Sequence, residues 1–211
     1  MQNIYKSFGA NNVLDNVDFT LSTGEICALL GENGAGKSTL MNILGGVLQA
    51  DSGKIVIDGE ERTFLSPVDS LDAGIGFIHQ ELNLINDLTI YENMFITHLQ
   101  KKGAFLDAKT MQEKTAGLFA KMNITLDPRT MVRDLDASYK QIVEICRALM
   151  QEASIIIMDE PTTSLTEPEI QRVFAMMRTL REQGVGIIFI SHKLGEVMEI
   201  CDRYTVLRDG K

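Results

Sequence analysis

Residues Gly31 to Ser38 read GENGAGKS, which fits the pattern G-x-x-x-x-G-K-[ST] between an apolar run, ICALL, and a helix-patterned stretch, STLMNILGG. The chemistry available to such residues is the capture of a polyphosphate. Gly31, Gly34 and Gly36 let the backbone turn its amides inward onto phosphate oxygens, at the start of a helix whose dipole favours anions. Lys37 would reach the β- and γ-phosphates of ATP and Ser38 would ligate Mg²⁺, with Asn33, Ala35 and Thr39 in the same nucleotide-binding stretch. The bland alternative is a glycine-rich turn with an exposed lysine, and the strand-then-helix context speaks against it.

A second run, SIIIMDE (Ser154 to Glu160), places Asp159 at the C-terminal end of a buried strand, where ligands bind in open α/β sheets. Asp159 would hold the Mg²⁺ shell, and Glu160 would act as general base on water attacking the γ-phosphate. The competing reading has the two acids end a strand and cap the next helix. Thr166 and Glu169 fit a capping box of their own, which weakens that reading. Gln80 closes IGFIHQ and His192 follows IIFIS. An amide can coordinate Mg²⁺ or position water, and an imidazole can donate to a phosphate oxygen. Singly, either is an ordinary solvated strand end; together, four strand ends deliver phosphate-competent residues to one edge of a sheet.

The elements that must position these residues are short β-branched runs, ICALLG, IGFIHQ, SIIIMDE and GIIFIS, alternating with helical stretches. That pattern predicts α/β with a mainly parallel core. Residues 88–151 break it with helical patterns (TIYENMFITHL, TMQEKTAGLFAKM, YKQIVEICRALM) and no strand. The chain therefore reads as one domain over 1–211: an α/β core at 1–87 and 152–211, with a helical lobe at 88–151 inserted into it. The first apolar alternation, VDFTL, and the last, YTVLRDGK, lie so close to the ends that the chain reads as a fragment of something longer.

The 211 residues are 45% hydrophobic, enough for a sizeable core. Acidic residues outnumber basic ones 29 to 20, a net charge of −9, which repels a phosphate backbone and argues against nucleic acid as a partner. Cys27, Cys146 and Cys201 sit in apolar surroundings and read as buried free thiols. No apolar run is long enough for a membrane span, and MQNIYKSFG lacks the apolar core of a signal peptide.

Taken together, GENGAGKST, HQELNL with Gln80, IIIMDEPT and ISHK resemble the nucleotide-binding domain of ABC transporters in order and spacing, over essentially the whole chain. More narrowly, GIGFIHQELNLINDLTIYENMF, VEICRALMQEASIIIMDEPTTSLT and CDRYTVLRDGK resemble the first half of the tandem ATPase subunits of ribose, galactose and xylose type monosaccharide importers. The resemblance implies a P-loop NTPase fold: a RecA-like, mainly parallel sheet, an antiparallel β subdomain and an inserted α-helical subdomain. It implies that Phe8 stacks on adenine, against the bland reading of a core phenylalanine. Gln80 matches the residue that senses Mg²⁺ where the lobe meets the membrane subunit, and His192 the switch histidine. The implied partners are a second nucleotide-binding domain in the same polypeptide, transmembrane permease subunits and, indirectly, an extracytoplasmic sugar-binding protein. The implied location is the cytoplasmic face of the membrane, with the fragment itself soluble.

LDASYKQ (Leu135 to Gln141) falls where that family carries its signature, usually LSGGQ, whose serine and glycine amides cap the γ-phosphate on a partner domain. Here Asp136 replaces the serine, Ala137 and Ser138 the glycines, and Tyr139 the glutamine. A carboxylate there would repel the phosphate by on the order of several kcal/mol at an effective dielectric near 20, so LDASYKQ reads as one wall of a degenerate site. The hydrolytic site would be built from Gly31 to Ser38, Asp159 and Glu160. Thr166 stands where the family commonly has aspartate, which bears on cross-talk between the two sites. The leading function is an ATPase engine for sugar import. A soluble ABC-type ATPase of translation or repair is the alternative. A P-loop kinase or GTPase is disfavoured by the absence of N-K-x-D, and a module that only binds ATP is disfavoured by Glu160.

Overall fold

The structure, a computed structural model, describes residues 1–97, 99–102 and 105–211. In chain order the first part of the core runs β1 (Gln2–Phe8), β2 (Asn11–Val17), β3 (Ile26–Leu30), α1 (Lys37–Leu44), β4 (Ser52–Ile57), β5 (Glu60–Arg62), α2 (Pro67–Asp72) and β6 (Ile75–Ile78). The lobe follows, with α3 (Ile90–Met94), β7 (Lys101–Lys102), β8 (Phe105–Leu106), α4 (Ala108–Lys121), a 3₁₀ turn at Val132–Asp134 and α5 (Ala137–Met150). The chain returns to the core as β9 (Ile155–Asp159), α6 (Glu167–Glu182), β10 (Gly186–Ile190), α7 (Leu194–Ile200) and β11 (Arg203–Val206).

Five strands form a parallel sheet in the order β11-β3-β10-β9-β6. Its strands read as continuous apolar runs because both faces are covered, and the period of two sorts their side chains. Ile26, Ala28, Ile156, Met158, Ile187 and Phe189 pack on one side with the lobe and α6. Cys27, Leu29, Ile157, Ile188 and Ile190 pack on the other with α1 and a four-stranded antiparallel sheet, β2-β1-β4-β5. A fully buried aromatic such as Phe174, edge-on to Phe189 at 6.2 Å, contributes roughly 1.5–3 kcal/mol.

Several elements differ from the sequence expectation. The helical pattern read over Thr89 to Leu99 closes at Met94; Thr89 and Glu92 cap its start, and Phe95 ends it. His98 of that pattern lies outside the described residues. The lobe, expected to hold no strand, contains the β7–β8 pair, whose two residues per strand are too few to show an alternation. VDFTL contributes only Val17 to a strand; the strand is the polar NNVLDNV before it, whose asparagines and aspartate disguise it. IGFIHQ leaves the sheet at Ile78. The three cysteines are free, and burial pushes the thiols of Cys146 and Cys201 up to about 12, so neither ionises near neutrality.

Candidate functional site

The strands β3, β10, β9 and β6 are adjacent and parallel, so their carboxyl ends lie along one edge. Beyond that edge follow the glycine-rich loop, His192, Asp159 with Glu160, and Gln80. The pairing of Ile78 with Met158 carries His79 and Gln80 out beside Asp159 and Glu160.

The loop requires glycine for two different reasons. Gly36, at φ 104, caps α1, and a Cβ there would come within 2.7 Å of Leu14 on β2. Gly34, at φ 86, has open space around it, so only its backbone angle demands the residue. Helix α1 starts with no side-chain cap and no acidic residue in its first turn, which leaves its positive end facing outward. Glu32, Asn33, Gly34 and Ser38 are exposed, while Ala35 and Gly36 are buried against the fold. Lys37 folds back over the loop, its Nζ donating to the carbonyls of Gly31 at 2.7 Å and Glu32 at 3.0 Å.

Burial, reinforced by the charge of Glu160, raises the Asp159 carboxyl above its ordinary range, against the opposing charges of His79 and Lys37. Glu160 itself adopts φ 46, a left-handed conformation costly for a non-glycine residue. It is held there by its N–H, which donates to Ile190 of β10 at 2.9 Å. Its Oε1 lies 3.0 Å from His192 Nδ1, and its Oε2 accepts from Thr163 Oγ1 at 3.2 Å. Burial alone would push the Glu160 carboxyl up; the hydrogen bonds from His192 and Thr163, with the charges of His192 and Lys37, outweigh it and hold it below. Behind it, buried Thr162 donates to Glu196 of α7 at 2.6 Å, and Lys193 donates to the Thr162 carbonyl at 3.1 Å.

Phe8 stands at the β1–β2 hairpin tip, 49% exposed, so it is not a core residue. Its ring lies 5.5 Å from Lys6 Nζ, and Lys6 pairs with the Leu14 that abuts Gly36. The hairpin thereby brings Phe8 to the loop's side of the molecule. Thr39 is half-buried on the first turn of α1. Sequence reasoning passed over His79, which stacks on Phe77 at 4.2 Å and whose charge acts on Asp159; its position beside Gln80 was the available signal. Thr163 was passed over as well, and a hydroxyl three residues after Glu160 is too common a feature to have marked it.

Asp136 is the N-cap of α5: its Oδ1 accepts from Tyr139 N and from Ser138 Oγ, each at 2.8 Å. Its Oδ2 pairs with Arg172 of α6 at 2.7 Å, and the Arg172 guanidinium covers the Tyr139 ring at 4.4 Å. The bonds from Tyr139, Ser138 and Arg172 outweigh burial and keep this carboxyl below its usual range. Glu169 accepts from both Thr166 N and Thr166 Oγ1, at 2.8 and 2.7 Å, at the start of α6. Between lobe and core opens a cleft of about 550 Å³, with Leu71 and Asp72 on one wall and Met94, Phe95, Lys114 and Met150 on the other. Among the described residues no helix is long and apolar enough to cross a membrane.

Comparison with known proteins concerns the chain as a whole. A family model described as ABC transporter matches residues 14–163. The ribose import ATP-binding protein RbsA of Lacticaseibacillus paracasei is 49% identical over 211 residues, 100% of this chain and 42% of that protein. RbsA of Oceanobacillus iheyensis is 47% identical over 211 residues, with the same shares. The chain thus spans less than half the length of these relatives. Among solved structures, the ADP conformation of MJ1267, an ATP-binding cassette of an ABC transporter, is 27% identical with a TM-score of 0.87, covering 99% of this chain and 86% of that one. A nucleotide-free ATP-binding cassette from an ABC transporter is 26% identical with a TM-score of 0.86, covering 99% of this chain and 87% of that one. The family's pattern runs from the strand that backs the phosphate loop to the threonine that holds Glu160, and this chain belongs to the ABC transporter family.

Proposed function

We propose that this chain binds and hydrolyses ATP to power an importer for a simple sugar of the ribose type, at the cytoplasmic face of the membrane. The observation that carries the ATPase reading is the Glu160–His192 contact at 3.0 Å, set beside the phosphate loop by three adjacent parallel strands. Lys37 would leave the Gly31 and Glu32 carbonyls for the β- and γ-phosphates, and the loop amides and the uncapped start of α1 would hold the remaining oxygens. Phe8 would stack on the adenine. Glu160 would take the proton of the attacking water at its carboxylate. His192 has its Nδ1 engaged by Glu160, so Nε2 is the atom left for a γ-phosphate oxygen.

The donor set fits Mg²⁺, which takes one or two carboxylates together with substrate phosphates and water. Asp159 is a carboxyl whose ionised form a nearby cation would favour, since burial and Glu160 disfavour it. Ser38 and Gln80 would supply the neutral oxygens. When bound, the ion draws negative charge from the β- and γ-phosphates.

The loop's exposure suits a half-site completed by a second nucleotide-binding domain, and the lobe–core cleft suits a segment of a permease subunit. The sugar type comes from the relatives' names, and sugar capture would fall to an extracytoplasmic binding protein. LDASYKQ would clamp a partner's ATP poorly for a reason the structure makes specific. The Asp136 carboxylate stands at the head of α5, and its pairing with Arg172 offsets part of the repulsion expected of a bare carboxylate and leaves the rest, which a serine at the same cap position would remove. Sedimentation of a Glu160→Gln variant with and without Mg-ATP, beside the same variant carrying Asp136→Ser, tests this. Dimer only in the serine variant is the expected result, and ready dimerisation of the parent would refute the worn-signature reading.

A further inference from the structure

We infer that Arg147, held in place by Glu144, is a positioning residue that sets where Gln80 stands relative to the nucleotide and its metal. The inference rests on the reading of Gln80 given above. Gln80 lies on the stretch that leaves the core at Ile78 and enters the lobe. The first fastening on the lobe side is Arg147 Nη1 donating to the Asn83 carbonyl at 3.0 Å. Next, fully buried Asn93 takes both backbone groups of Ile85, its Oδ1 accepting from Ile85 N at 2.7 Å and its Nδ2 donating to Ile85 O at 3.0 Å. Leu88 and Asn86 are then held by the backbone amides of Val132 and Arg133. Only residues 79–82 separate the sheet from this anchored segment, and each residue spans at most about 3.3–3.6 Å. A small displacement of the lobe therefore has nowhere to go but into Gln80 and its neighbours.

Arg147 is oriented by Glu144, one turn earlier on α5, across a 2.6 Å ion pair with Glu144 only 4% exposed. Helix packing alone does not account for this pair. Burial raises the Glu144 carboxyl against the charge of Arg147 and a backbone hydrogen bond from Asn83, and the Gln141 Nε2 on the same side of α5 is buried with no partner among the described residues, so apolar side chains would fill the space at less cost. The bond to Asn83 is what the pair accomplishes. Because Asp136 begins the same rigid helix, contact made by a partner at Asp136 would reach Gln80 through Arg147.

The test compares Arg147→Met, Arg147→Lys, Glu144→Gln, Gln80→Ala and the Arg147→Met/Gln80→Ala double variant in the whole protein, with Lys37→Ala as the blank for this site. Affinity for a fluorescent ATP analogue is measured with Mg²⁺ and again in EDTA, and each fold is checked by thermal unfolding. Arg147→Met should weaken Mg²⁺-dependent binding on the order of tenfold and leave binding in EDTA unchanged. It should add nothing to Gln80→Ala, and Arg147→Lys should recover part of the loss. Glu144→Gln, which keeps the volume, should shift the same quantity in the same direction and carries the test where Arg147→Met does not fold. If Gln80→Ala weakens binding while folded Arg147 and Glu144 variants do not, or if the effects simply add, Arg147 does not act through Gln80. If Gln80→Ala itself has no effect, the role given to Gln80 falls, and the inference with it.

Discussion

Glu160 shows how much of this site is a matter of single side chains. Its carboxyl is held low by His192 and Thr163 against its own burial, so it stands ionised and ready to accept a proton near neutrality. Glu160→Gln should lower turnover on the order of 10²–10⁴-fold while ATP still binds, as measured by steady-state hydrolysis beside a binding titration. Removing His192 takes away a bond that favours the ionised form, so burial gains weight and the Glu160 pKa rises. A base must be ionised to work, and the rate falls as pH drops through its pKa. In His192→Ala the acid limb of the pH–rate profile should therefore move to higher pH, and an unmoved limb would mean that His192 does not tune the base. On the proposed role of Lys37 as the charged donor to the phosphates, Lys37→Ala should weaken ATP binding roughly 10–100-fold by equilibrium titration.

At the scale of elements, the strand ends that carry the site were legible because a parallel strand covered on both faces must be a continuous apolar run. SIIIMD and GIIFI correspond to β9 and β10 nearly letter for letter. The antiparallel strands were not legible as runs, since β1 and β5 expose most of their residues and β2 carries three asparagines and an aspartate among seven, so all three read as polar loops. Helix α5 was visible from the apolar spacing of YKQIVEICRALM, and it begins two residues earlier, at Ala137, because Asp136 is its side-chain cap. Replacing Asp136 by Ala should cost about 1 kcal/mol through the cap alone, and more through the orphaned Arg172, in urea-induced unfolding. Asp136→Ser retains a capping hydroxyl and should cost less. Equal losses would mean that the Arg172 pair, rather than the cap, dominates.

Across the whole molecule, the parallel sheet is closed at its β11 edge by ionic contacts between segments distant in sequence. Arg203 Nε donates to Glu25 Oε1 at 2.6 Å, and Asp202 accepts from Ile26 N at 2.9 Å while pairing with Arg181 of α6 at 2.9 Å. The bond from Arg203, foremost, lowers the Glu25 carboxyl despite burial, aided by Ser22. A carboxyl whose folded pKa lies below its unfolded one contributes stability that is present above the unfolded value and lost as pH falls through the folded one. Glu25→Gln should thus destabilise by about 1–2 kcal/mol near neutrality, with the gap to the parent shrinking in acid, in denaturant unfolding at the two pH values. A gap that persists unchanged in acid would show that shape, not charge, is at work there.

The amino-acid order alone was sufficient for the α/β class, for a helical insertion, for a glycine-rich turn between strand and helix and for Asp159 and Glu160 at a strand end. Each of these depends on local constraints: glycine where the backbone needs a positive φ, apolar continuity where a strand is covered twice, a carboxylate where that continuity stops. The partners of those residues lay beyond local reading. The His192 bond to Glu160, the Arg172 bond to Asp136 and the Arg147 bond to Asn83 span 32, 36 and 64 positions. No periodicity records such a distance, because it is the order of strands in the sheet and the packing of the lobe's helices that bring those atoms together.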